Sequence, residues 1–229
     1  MNRRRMLLVL PFLAASAAGA GEIPPGLGWH ELAETRLRAV CPSPAQYPEI
    51  QGVEGCAAVT EDWSGAAFDA AGDRLYISGG GHGGYAGNEW YRLDLGSLTL
   101  TRINEPSTPV RDGCLFDGIY ADGRPVSRHT YQHLAWLPGL QRIFLVGGSR
   151  WQCGYFIDDA WTFDPAGDSW TEKSYVDGPR TGFGLSLAVD APTGLVYAHD
   201  DYDLYSYNPA TDQWTLRAEN LQGPGDYKS

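Results

Sequence analysis

The sequence predicts an all-β protein built from repeated small antiparallel sheets, and three observations predict it. First, one phrase recurs three times: a short apolar strand, a glycine or acidic break, an aromatic-rich strand, a turn and usually a tryptophan. The copies are Leu75-Tyr76-Ile77-Ser78-Gly79-Gly80 with Trp90-Tyr91-Arg92-Leu93-Asp94; Ile143-Phe144-Leu145-Val146-Gly147-Gly148 with Trp161-Thr162-Phe163-Asp164 and Trp170; and Leu195-Val196-Tyr197 with Leu204-Tyr205-Ser206-Tyr207-Asn208 and Trp214. Second, Trp161 to Tyr205 and Trp170 to Trp214 are both separated by 44 residues, so two strands keep one spacing. Third, the composition is rich in Gly, Trp and Tyr with scattered Pro, which suits short strands joined by tight turns, and no long amphipathic helix is legible. Repeats of this length belong to propellers or solenoids, because one small sheet cannot bury both faces without a neighbour on each side.

The elements follow in chain order. Arg3, Arg4 and Arg5 precede an apolar run from Met6 to Ala15, and Ala18-Gly19-Ala20 supplies small residues for cleavage, so residues 1–20 read as a signal peptide. The run is too short to cross about 30 Å of hydrocarbon. A secreted or periplasmic location follows, with no membrane insertion after cleavage. Removing the three arginines, from 17 basic residues against 28 acidic, deepens the formal net charge from −11 to −14. Such a surface repels nucleic-acid phosphates and anionic lipid headgroups. The four cysteines Cys41, Cys56, Cys114 and Cys153 are then expected as structural disulfides. Four cysteines allow three connectivities; nearness in sequence favours Cys41 with Cys56, leaving Cys114 for Cys153.

Each repeat divides into four strands. In the second, Tyr131–Pro138, Arg142–Gly147, Ala160–Asp164 and Ser169–Ser174 are separated by Pro138-Gly139 and by Pro165-Ala166-Gly167-Asp168, both turn formers. The third repeats this with Ala191-Pro192-Thr193-Gly194 and Pro209-Ala210-Thr211-Asp212. The expected organisation is residues 21–54 as an N-terminal outer strand and connection, then residues 55–229 as blades at about 55–104, 128–174 and 180–220.

On these residues the chain resembles the kelch family of β-propellers, whose blades carry a glycine pair after the second strand, an aromatic in the third and a tryptophan in the fourth. Gly79-Gly80 and Gly147-Gly148 match the pair, and Trp170 and Trp214 the tryptophan. His199-Asp200 replaces the pair in the third copy and Leu100 replaces the tryptophan in the first. The segment Gly79-Gly80-Gly81-His82 followed by Gly87-Asn88-Glu89 is similar to the central propeller region of galactose-oxidase-like secreted bacterial proteins. The resemblance implies a kelch-type propeller with three recognisable four-stranded blades. Gly28-Trp29-His30-Glu31-Leu32 has the form of a fourth strand without its companions, an orphan outer strand, so an incomplete ring is expected. Open blade edges would favour self-association.

In a meander of this kind, the second-to-third strand loops and the inter-blade connections emerge on one side. Loops gathered there by a rigid scaffold are the default place for binding. The ligand-binding candidates are His82, Asn88, Glu89, Arg128, His129, Arg150, Trp151, Tyr155, Arg180, His199 and Asp201. His82 can donate or act as a base near neutral pH, though it also suits a tight turn. Asn88 and Glu89 suit sugar hydroxyls, with Asn after Gly also a turn former. Arg128, His129 and Arg180 enter strands near the axis, where kelch blades often place an arginine that ties neighbours together. Trp151 with Arg150 and Tyr155 suits stacking on a sugar ring. Asp158-Asp159 and Asp200-Asp201 with Asp203 lack calcium-loop spacing. The histidine, tyrosine and cysteine set of a copper oxidase cannot be assembled, and nucleophile and phosphate motifs are absent, so no metal or cofactor is predicted. The reading is a non-catalytic module with a glycan or protein ligand. The alternatives are a carbohydrate-active enzyme, either a galactose-oxidase-like oxidase or a sialic-acid mutarotase, and a nonfunctional remnant of a longer gene.

Overall fold

The computed structural model describes residues 28–108 and 113–221. The expected signal peptide at residues 1–20 lies outside them. The protein is all-β, with three four-stranded antiparallel sheets. The first is β1 (Ala66–Asp69), β2 (Arg74–Ile77), β3 (Tyr91–Asp94) and β4 (Thr99–Arg102). Next comes β5 (Arg128–His129), which pairs only with β8 (Ser149–Arg150). The second sheet is β6 (Leu134–Leu137), β7 (Arg142–Val146), β9 (Ala160–Asp164) and β10 (Ser169–Lys173). The third is β11 (Leu185–Asp190), β12 (Leu195–Asp200), β13 (Leu204–Asn208) and β14 (Gln213–Ala218). Each sheet is a simple meander in chain order.

The turns form for the reasons legible in the sequence. Asp94, Asp164 and Asn208 end the third strand of their sheets, and each side chain accepts a backbone N–H two or three residues on, from Ser97, Ala166 and Ala210. The residues that close these hairpins, Leu98, Asp168 and Asp212, all have positive φ. Gly80 and Gly148 follow the second strands with φ of 138° and 114°, a region open to glycine and costly for a side chain. In the third sheet, where no glycine stands, β12 runs on to Asp200 instead. The Asp200 carboxylate then organises the turn by accepting the N–H groups of Tyr202, Asp203 and Arg180.

The sheets stack face to face. Tyr76 of the first lies flat on Trp136 of the second, with ring centroids 5.2 Å apart, and Trp90 lies on Phe163 at 5.4 Å. On the other face of the second sheet, Phe144 stacks on Tyr207 of the third at 4.6 Å, with Trp214 alongside. Both faces of the second sheet are therefore buried, which is why every residue of β6 is buried while β10, at its outer edge, is not. The first strands β1, β6 and β11 are neighbours in space, joined by Tyr131 N–H to Trp63 O and Leu187 N–H to Gln132 O. Among the described residues the sheets do not close into a barrel or ring.

The outer face of the first sheet packs against residues 37–59, a run of short 3₁₀ turns and one four-residue helix, Ala58–Glu61. Leu100 stands where the other sheets have tryptophan because that face meets Ile50, Val59 and the Cys41–Cys56 disulfide and not another sheet. The second disulfide joins Cys114 to Cys153, so the favoured pairing is the one present. Gly28–Leu32 does not form the orphan strand: it is irregular, and Trp29 is fully exposed. It enters no strand ladder among the described residues, and the chain passes at once into a 3₁₀ turn at Ala33–Thr35. No helix among the described residues is long and apolar enough to cross a membrane.

Two measurements check this packing. Phe144→Ala removes a fully buried ring between two sheets and is expected to cost about 3–5 kcal/mol in urea unfolding. His133 is buried, with its Nε2 against Gly182 O, and desolvation pulls its pKa down to about 4. The unfolded state therefore binds the extra proton between roughly pH 6.5 and 4, so stability should fall as pH drops through that window, by about 3 kcal/mol at most. His133→Gln should remove that part of the acid slope, measured as the difference in unfolding free energy between pH 7 and pH 4.5.

Candidate functional site

Polar residues near the loop face fall into two groups, those consumed internally and those left facing a depression. Asn88 is consumed: its Nδ2 donates to Ser107 Oγ and Pro125 O at 2.8 and 2.9 Å, and its Oδ1 accepts Ser107 N–H. It clips the segment around Ser107 onto the first sheet. Glu89 is buried beneath, where its Oε1 accepts hydroxyls from Tyr85 and Tyr91 at 2.8 and 2.5 Å. Desolvation holds the Glu89 carboxyl above the usual carboxylate range, opposed by those two hydroxyls.

Arg128 is 2% exposed and ties three segments together. It pairs with Asp159 at 2.7 Å, and its other donors reach Val126 O and Gly147 O. Trp161 Nε1 donates to the second oxygen of Asp159. Arg150, also buried, donates to the carbonyls of Leu115, Phe116 and Tyr155, and so ties the connection between β4 and β5 to its own loop at Leu115 and Phe116. These four residues build the loop face from within, although the buried Arg128 Nη2 and Glu89 Oε2 have no hydrogen-bond partner among the described residues. Tyr155 is exposed but lies apart from the depression, and Arg180 stacks over Tyr202 at 5.3 Å beside the third sheet. His199 lies on β12 opposite Ser186 and Leu204, and Asp201 in the turn that follows. The candidates thus do not converge on one point.

His82, His129 and Trp151 do converge. With Glu49, Glu54, Asp62, Trp63 and Gln152 they line an open depression of about 810 Å³. His82 sits at the tip of Gly81-His82-Gly83-Gly84 with φ 47°, held by its N–H to Arg150 O at 3.2 Å and by Gln152 N–H to its carbonyl. His129 comes from β5, and its Nδ1 lies 2.8 Å from Asp62 O, which makes Nδ1 the donor. Nε2 is then a lone-pair acceptor without a hydrogen-bond partner. Burial, reinforced by the nearby His82, keeps the His129 pKa below the usual imidazole range, so the ring is neutral at pH 7. The His82 and Trp63 rings stand edge-on to it at 5.8 and 5.3 Å. Trp63 itself is 61% exposed and has φ 46°.

Glu54 and Asp62 lean over Gly84 from two sides; a Cβ at that position would collide with Asp62 and crowd Glu54. Partial burial raises the Asp62 pKa, helped by Glu61 and opposed by His82. The depression therefore carries three carboxylates, Glu49, Glu54 and Asp62, one exposed and one buried imidazole, and two indoles. Trp63, Asp62 and Glu54 are absent from the sequence-derived candidates. Asp62 and Trp63 stand just before the first strand, inside the span expected as the first blade, and Glu54 at the end of the span expected as connection, so none of them stands out in the sequence as a loop residue. Among the described residues no three His, Cys, Asp or Glu side chains converge as a metal-ligand set. Comparison with protein-family models finds no matching family, and no curated protein matches the chain.

The two groups should separate by stability. Arg128→Met leaves Asp159 buried without its cation and is expected to cost about 3–5 kcal/mol, whereas His82→Ala, at an exposed tip, should stay within about 0.5 kcal/mol, both by urea unfolding.

Proposed function

We propose that this chain is an exported kelch-type β-propeller protein whose sheets are the blades, and that its loop face binds a glycan in the depression between Asp62, Trp63, His82 and Trp151. The observation that carries the reading is the exposed Trp63 ring beside acceptors and donors that no internal hydrogen bond consumes. Sugars are recognised by an aromatic face against their C–H surface together with carboxylates and imidazoles on their hydroxyls. Nucleic acid is disfavoured by the acidic surface. Support for the propeller comes from the stack of meanders with adjacent first strands, and support for export from the two disulfides together with the arginine-headed apolar N-terminus.

A glycan array probed with the mature chain should give saturable binding to a restricted set of sugars. Trp63→Ala should weaken the strongest of these about three- to tenfold, the size of one aromatic stacking contact, with the unfolding midpoint preserved. Absence of saturable binding to any sugar would overturn the reading.

A further inference from the structure

Beyond the depression, a line of ring contacts crosses all three sheets. From Trp63 it passes to His129 at 5.3 Å, to Tyr131 at 5.9 Å and to Phe183 at 5.4 Å, with Phe156 packed on both Tyr131 and Phe183 at 5.8 and 4.9 Å. The three aromatics Trp63, Tyr131 and Phe183 stand in corresponding places. Each lies two or three residues before the first strand of its sheet, before β1, β6 and β11. Trp63 and Tyr131 also share an unusual backbone: φ is 46° in one and 40° in the other. Positive φ is costly for a bulky side chain, so the same strained turn built twice under an aromatic ring is a feature that the surrounding structure maintains. Phe183 is 44% exposed and Trp63 61%, so both ends of the line are accessible.

Carboxylates stand at both ends of this line. Glu54 and Asp62 flank the Trp63 end. At the other end Asp158 accepts the hydroxyl of Thr181 at 2.6 Å, and the Asp201 carboxylate lies against Gly184, next to Phe183. Of the cations near the line, Arg128 is buried and paired with Asp159, Arg150 is buried with its guanidinium on backbone carbonyls, and Arg180 is exposed over Tyr202. His129 is neutral at pH 7.

From these observations we infer that the loop face is a track for an extended saccharide, with successive neutral or amino-bearing sugar rings spanning from Trp63 to Phe183 across the three repeats, and that it rejects acidic sugars. This rests on the glycan-binding reading above and adds to it the length and charge of the ligand. A monosaccharide fills only the Trp63 end. A chain gains the Tyr131 and Phe183 contacts, each expected to contribute about three- to tenfold in affinity. An amine on the sugar meets carboxylates at both ends, while a uronic or sialic carboxylate meets the same groups as like charges.

Isothermal titration calorimetry with the mature chain tests this, using N-acetylglucosamine and glucosamine oligomers of one, three and six rings and a galacturonic acid hexamer. Affinity should rise at least tenfold from one ring to six, with glucosamine tighter than N-acetylglucosamine and that preference shrinking as salt is added. The acidic hexamer should bind at least tenfold more weakly. Phe183→Ala should flatten the rise with chain length. If single rings bind as tightly as hexamers, the glycan reading stands and the track is refuted. If the acidic hexamer binds as well as the glucosamine one, the charge assignment is refuted with it. If no saccharide of any length binds, both this inference and the glycan reading fall.

Discussion

Face-to-face burial of the second sheet is the constraint on which everything else depends. A four-stranded meander of four- and five-residue strands buries little apolar surface by itself and gains stability by packing its faces on its neighbours. The second sheet solves this by stacking Phe144 on Tyr207 and Trp214 on one side and Trp136 and Phe163 on Tyr76 and Trp90 on the other. Because flat rings meet on both sides, the spacing of the three sheets is set by aromatic thickness. The register of the first strands follows from the same contacts.

That register determines what reaches the loop face. With β1, β6 and β11 side by side, the residues just before them are brought together, and Trp63, His129, Tyr131 and Phe183 become neighbours although 120 positions separate the first from the last. The loops above are then locked by buried polar groups. Arg128 with Asp159 fixes the entry to the second sheet, Arg150 holds the β4–β5 connection through the carbonyls of Leu115 and Phe116, and Asn88 holds it at Ser107 and Pro125. The Cys114–Cys153 bridge closes the same region covalently. Buried charge and amide groups are therefore spent on holding the loop face together, which leaves Trp63, His82 and the surface carboxylates of the depression outside that network.

The strands were legible because period-two patterning and turn chemistry are local: Ala160–Asp164 is identical to its expected span, and Arg142–Val146 and Ser169–Lys173 differ from theirs by one residue. The first strand of the second sheet begins at Leu134 and not at Tyr131, because Tyr131 occupies a left-handed turn that no sequence signal marks. Among the residues of the depression, His82 and Trp151 were legible as unusual residues in loops and His129 as one entering a strand. Asn88, Glu89, Arg128 and Arg150 look the same in sequence, and only the fold reveals that their partners are internal. Trp63 and Phe183 were not legible as a pair, since their proximity arises from the stacking of separate repeats. Trp29 carried a strand-like local pattern, yet a strand needs a partner edge, and local pattern holds no information about one.

The stacking of the three sheets is tested most directly by nuclear Overhauser contacts between aromatic rings in the isotope-labelled mature chain. Contacts are expected between Phe144 and Tyr207 and, in the same sample, between Tyr76 and Trp136, which together place the second sheet between the other two. Contacts across only one interface, or Phe144 ring protons exchanging with solvent-exposed signals, would contradict it.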